Sequence, residues 1–187
     1  MSGGHGHVDS SNKKVAMLIA VLALVLAISE TLGKSAQTAG LSANIEASNL
    51  WAFYQAKTVR RTIVRTAAQQ AEAQLPFLEP KAREMLEKRV KGWRDDSERY
   101  DTEPETQEGR KELASRAKVA EKKRDYSLAA YHNFEVASAA VQIAIVLASA
   151  EVITGVVALV WLSGALGVVG IAFVLIGMLW PMAVHLF

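Results

Sequence analysis

The chain has 187 residues, 51% of them hydrophobic and 21% charged. A net charge of +2, with basic and acidic residues interspersed, argues against a nucleic-acid-binding surface. The absence of cysteine excludes disulfides, thiol catalysis and thiolate metal sites.

Residues 1–14 are expected to be a flexible tail in which His5 and His7 would hold a metal only weakly. Lys13 and Lys14 then introduce the apolar run 15–29. The 19 residues between Lys14 and Lys34 extend about 28 Å as helix, enough for the hydrocarbon core. Residues 15–33 are therefore predicted to be a first transmembrane helix. A cleaved signal peptide, which also pairs a basic start with an apolar core, is the competing reading.

Residues 34–133 form one long hydrophilic segment. From Leu41 onward, Ile45, Ala52, Ala56, Val59 and Ile63 recur at helical steps and mark an amphipathic helix. Gly33 and Gly40 are expected to kink its exit from the membrane. Pro76 and Pro80 end it, residues 81–91 make a short charged helix, and residues 92–101 read as a loop. Thr102-Glu103-Pro104-Glu105 has the form of a capping box. From residue 111 a helix runs without a break into the second span. The segment is thus a helical hairpin of coiled-coil character with its tip near the prolines. Its large apolar residues near the tip are few: Phe77, Leu78, Met85, Leu86, Val90 and Trp93. At about 25 cal/mol per Å², so little burial struggles against the entropy of ordering the segment. The hairpin is expected to pack against copies of itself or a partner.

Beyond Glu135 the only charged side chain is Glu151. A globular helix needs a polar face, so lipid is the natural solvent for residues 136–187. As a single helix this stretch would extend about 78 Å, which forces it to fold back. Of two possible turns, Ser163-Gly164 would hold Glu151 deep in the bilayer at a cost of at least about 2.5 kcal/mol. A turn at Thr154-Gly155 leaves Glu151 one helical turn from the surface, free to snorkel. It predicts spans over 134–154 and 156–180, with Trp180 at the interface, Pro181 closing the helix and 181–187 as a tail. The expected fold is an all-α membrane protein: three transmembrane helices, with the long hairpin between the first and second.

Small residues form a stripe on each span. Ala16, Ala20, Ala23 and Ala27 share one face of the first; Ala137, Ala140, Ala144 and Ala148 one face of the second; Gly167, Gly170 and Gly177 one face of the third. Such stripes let helices approach closely in lipid, either within a chain or between chains. Glu135, Gln142 and Ser149, seven apart, and nearby Glu151 are the polar candidates inside the membrane. They could line a proton or ion path. Alternatively the two carboxylates sit at opposite interfaces while Gln142 bonds a neighbouring helix. Trp51, Tyr54, Gln55 and Lys57 form a polar aromatic cluster, as do Tyr131, His132 and Glu135. His132 and Glu135 make only half of a carboxylate–histidine metal set, so no metal or other cofactor is expected. Phosphate-cradling loops, nucleophile elbows and zinc-protease motifs are missing, which argues against an enzyme.

The stretch 47–57, Ala-Ser-Asn-Leu-Trp-Ala-Phe-Tyr-Gln-Ala-Lys, resembles a bacterial membrane-protein family known as domain of unknown function 4337. Its members commonly carry a similar Trp-Ala-Tyr-Tyr-Gln-Ala-Lys stretch after an N-terminal span. His132-Asn133-Phe134-Glu135, followed by Gln142-Ile143-Ala144-Ile145, and the paired hydrophobic C-terminus extend the likeness over about residues 15–180. The resemblance implies a three-span inner-membrane protein without an established activity. The chain departs from it at Gly155-Val156-Val157-Ala158, uncharged where many members carry basic residues. Lys13 and Lys14 favour a cytoplasmic N-terminus and a periplasmic hairpin; Lys122, Lys123 and Arg124 pull the other way. The function expected is a non-enzymatic scaffold or accessory subunit. Its partners would be the lipid bilayer and either copies of itself or other membrane-protein subunits. An ion- or proton-conducting homo-oligomer using Glu135, Gln142 and Glu151 is the alternative.

Overall fold

The computed structural model describes residues 10–184. Four α-helices account for most of them: α1 (Ser10–Gln74), α2 (Pro80–Asp101), α3 (Arg110–Thr154) and α4 (Ala158–Leu179). Short 3-10 turns at Leu75–Phe77 and Pro181–Ala183 follow α1 and α4. Three of the helices, α1, α3 and α4, contain stretches long and apolar enough to cross a membrane, which points to membrane association. The chain divides into two compact units. One contains the described residues of 1–41 and 124–187, the other residues 42–123.

The first unit packs the N-terminal part of α1, the C-terminal part of α3, and α4. Val15, Leu22 and Ser29, at seven-residue steps, are buried on α1 here, as are Gly33 and Gly40. Ala130, Asn133, Phe134, Ala137, Ala140, Val141, Ala144, Ala148 and Glu151 are those of α3. Ser163, Gly167, Gly170, Val174 and Gly177 are those of α4. The glycines are placed where a neighbour leaves no space. A Cβ on Gly167 would stand 2.7 Å from Leu22, one on Gly177 2.8 Å from the Phe134 ring, and one on Gly170 would collide with Val141. Between α3 and α4 the chain reverses at Gly155, whose φ of 70° lies in the left-handed region. Its N–H bonds the Glu151 carbonyl at 2.8 Å, the usual way a glycine closes a helix.

The small-residue stripes predicted on α3 and α4 are buried, but the one on α1 is not. Ala16, Ala20, Ala23 and Ala27 are exposed, so packing inside the chain runs through Val15, Leu22 and Ser29 instead. In lipid an outward alanine costs nothing, and hydrophobicity alone therefore does not say which face turns inward.

In the second unit, α1 packs along both α2 and the start of α3. Ala47 and Leu50 meet Leu113, Ala117 and Ala120 in one cluster. Ala68 and Ala71 meet Val90, with Leu86 and Trp93 against them, in another. Both clusters are rich in alanine and bury few large side chains. Phe77 and Met85, by contrast, stand in the open.

Several local expectations are corrected. Residues 92–101 belong to α2 rather than to a loop: Gly92 has open space around it, and an interior glycine costs a helix only about 1 kcal/mol. The break falls later, at residues 102–109. Thr102 does not start a helix there. Its hydroxyl donates to Glu112 Oε1 at 2.8 Å, and the Glu103 N–H donates to Glu112 Oε2 at 3.2 Å. Glu112, in the first turn of α3, ties down the connection instead. α1 runs unbroken through Gly33 and Gly40. Finally, the apolar stripe Ile45, Ala52, Ala56, Val59 and Ile63 is exposed. The buried residues of this part of α1 are Ala43, Ala47, Leu50 and Lys57, on the opposite side.

Candidate functional site

The richest side-chain cluster is built on the 51–58 stretch of α1, where three- and four-residue steps put Trp51, Tyr54, Lys57 and Thr58 towards α3 and the connection that leads into it. Lys57 is only 6% exposed. Its Nζ lies 3.4 Å from Glu103 Oε2 and 3.9 Å from Glu108 Oε2. The same ammonium stands 5.4 Å from the Phe53 ring centroid and 5.5 Å from that of Tyr100, within cation–π range.

Arg110, at the start of α3, is held by three bonds. Nε donates to Thr58 Oγ1, Nη1 to Asp101 Oδ1 and Nη2 to the Tyr54 hydroxyl, each at 2.9 Å. Asp101, ending α2, also pairs with Lys111 at 3.4 Å and Arg61 at 3.6 Å. Trp51 Nε1 donates to Glu121 Oε1 at 2.9 Å, and its ring meets Tyr54 edge-on. One arginine thus ties three helices together with its planar fork, a task lysine does not perform equally. The carboxyl of Glu112 beside this joint is held below its ordinary range, chiefly by the hydrogen bond from Thr102.

Of the four motif residues singled out on α1, the structure joins Trp51, Tyr54 and Lys57 to this clamp and leaves Gln55 exposed. Sequence reasoning missed Arg110, Asp101 and Glu103. The available signal was their position at the α2–α3 break, where long charged side chains can reach back to α1. The cluster pairs its cations with carboxylates or hydroxyls and works as a clamp. Among the described residues no group of three or more acidic or histidine side chains is arranged to hold a metal.

The second set of candidates lies in the other unit. Gln142 Nε2 donates to Glu30 Oε1 on α1 at 3.3 Å, and both residues are exposed. Ser149 bonds back to the Ile145 carbonyl of its own helix. Glu135 is exposed, accepts the Tyr131 hydroxyl at 3.3 Å and lies 3.7 Å from His132 Nδ1. Glu151 is different. Rather than snorkelling, it is only 5% exposed, because it follows Ala144 and Ala148 on the inward stripe of α3. Its Oε2 has no hydrogen-bond partner among the described residues. Glu135, Gln142 and Ser149 therefore share an outer face while Glu151 faces inward, and within one chain the four do not line a common path.

Hydroxyls and one amide supply the buried polar contacts between helices here. Ser29 Oγ donates to the Phe134 carbonyl at 2.9 Å, and Ser163 Oγ to the Ala144 carbonyl at 2.7 Å. Asn133 Nδ2 donates to the Pro181 carbonyl at 3.0 Å. Phe134 is buried against α4. Asn133, between the two noted motif residues His132 and Phe134, is thus the one that fastens α3 to the end of α4.

The clamp uses residues of the 47–57 motif and the α3–α4 fastening uses residues of the 132–135 motif, so both stretches contribute to helix-to-helix contacts. The family model described as a domain of unknown function (DUF4337) matches residues 11–180. The chain belongs to that family. No curated protein and no solved structure matches it. For DUF4337 this leaves the architecture above as the guide to function.

Proposed function

We propose that this DUF4337 chain is a non-enzymatic structural protein of a bacterial cytoplasmic membrane that assembles with copies of itself. The observation that carries this reading is the exposed apolar stripe on α1 in the polar unit. Ile45, Val59 and Ile63 are 53%, 58% and 62% exposed, on the side of the helix away from its own thin alanine clusters. Water-facing helices normally present charged residues there, and a stripe of this kind calls for a cover. Lys13 and Lys14 favour a cytoplasmic N-terminus by the positive-inside rule. Native mass spectrometry of the full chain released from lipid nanodiscs tests the reading. An assembly of two or more copies is expected; a uniform monomer would overturn it.

A second reading, an ion- or proton-conducting oligomer, is favoured by the exposed Glu30–Gln142 pair on a helix bundle of membrane character. Polar groups on such a face usually turn towards a neighbour or a water-filled path. Unchanged flux in liposomes with Glu30→Gln, Glu135→Gln and Glu151→Gln would end it.

A further inference from the structure

We infer that residues 45–63 of α1 pair in parallel and in register with the same residues of a second copy. The inference deepens the self-assembly reading above and rests on it. The exposed stripe is a seven-residue repeat. In heptad positions, Ile45, Ala52 and Val59 fall at d, and Asn49, Ala56 and Ile63 at a, the seam of a coiled coil over about three heptads. All six are exposed.

Three features choose a like helix as the occupant. First, α1 already uses its other side, at Ala47, Leu50 and Lys57, so the repeat is a second seam that nothing in the described chain covers. Second, a lone asparagine on an apolar seam leaves an amide to be satisfied. A second Asn49 directly opposite does so, and this is how a single asparagine at a sets a parallel register. Third, membrane-inserted copies share one orientation and are confined to one surface, which raises their effective concentration much as a tether does.

The flanking residues agree. In a parallel pair, Ser48 would face Phe53, Gln55 would face Arg60, and Thr62 would face Ala67 of the second copy. No like charges meet across the seam, and Gln55 gains an arginine. This gives a role to the one residue of the Trp51–Lys57 motif that takes no part in the clamp.

The natural chain lacks cysteine, so single variants report directly. In membranes holding the full-length protein, Ala52→Cys and Val59→Cys are each expected to form a covalent dimer under mild oxidation. A disulfide requires Cα atoms within about 7 Å. Lys118→Cys, exposed on α3, is expected to stay monomeric. Crosslinking at both 52 and 59 supports the proposal, since an antiparallel pair matches like residues at one level only. Failure at either position, or equal crosslinking at 118, overturns it, whether the true cover is an antiparallel copy, another protein or the lipid surface. The native mass of the cysteine-free chain separates the two levels. An oligomer without crosslinks leaves self-assembly standing and discards this face, whereas a monomer discards both. Asn49→Leu is expected to convert a uniform dimer into a mixture of assemblies; an unchanged mass distribution would remove the register role of Asn49.

Discussion

The two units solve the same problem, helix against helix, with different materials. In the unit holding α4, contact comes from backbones brought close by Gly167, Gly170 and Gly177, and the buried polar bonds between helices are neutral: serine hydroxyls and one asparagine amide. In the unit holding α2, small alanine clusters are reinforced by charge, with Lys57 and Arg110 each engaging more than one partner. The solvent explains the contrast. In lipid, apolar exclusion gives no drive, so packing and neutral hydrogen bonds remain. In water, charged side chains can cover a thin core and close it with paired groups. Against the polar surface of the second unit, the apolar stripe on α1 stands out as a repeating exposed face that belongs to neither solution.

The comparison breaks most readily at Gly170. Gly170→Leu forces a side chain into Val141 and should cost about 3 kcal/mol, read by SDS titration of the full chain in mixed micelles. Ala20→Leu, on the exposed face of α1, should change that stability by less than about 0.5 kcal/mol. Equal losses would refute the assignment of inward and outward faces.

In the charged unit, Lys57→Met strips Glu103 and Glu108 of their shared cation. Both carboxylates retain access to water, which limits the loss to about 2 kcal/mol. Hydrogen exchange should localise it to residues 42–123, with the α4 unit unchanged. Arg110→Lys keeps the charge but not the three-way fork and should cost about 1 kcal/mol. At the turn, Gly155→Ala forces a side chain into the left-handed region and should cost about 1 kcal/mol, measured in the same micelle titration.

The smallest effect is acid-dependent. Hydrogen bonding lowers the Glu112 pKa in the folded chain below its ordinary 4.5. Its contribution is therefore complete above the ordinary value and lost as pH falls through the lower folded value. Exchange protection at the Glu103 amide, corrected for intrinsic rate, should fall over that window. Glu112→Gln should flatten the fall.

Much of this architecture was legible in residue order. The stretch after Glu135, with Glu151 its one charged side chain, called for lipid, Pro76 and Pro80 stopped α1, and Gly155 offered the left-handed residue that a reversal needs. Shared helix faces, at three-, four- and seven-residue steps, also marked the buried alanines of α3 and the glycines of α4. Where Ala16, Ala20, Ala23 and Ala27 would turn was not legible, nor was the outward direction of Ile45, Val59 and Ile63. Periodicity says that a helix has an apolar face but not what that face meets. The clamp was half visible for a related reason. Trp51, Tyr54 and Lys57 declare themselves within one short motif, whereas Asp101, Glu103 and Arg110 join them only after α2 has run its full length through Gly92. Local sequence thus determined where α1 ends and where the chain reverses between α3 and α4, since those are contests among near neighbours, but it misplaced the end of α2 and the start of α3. Which face is inward, and which distant charges meet, was decided only by tertiary packing, because both depend on surfaces that residues far along the chain supply.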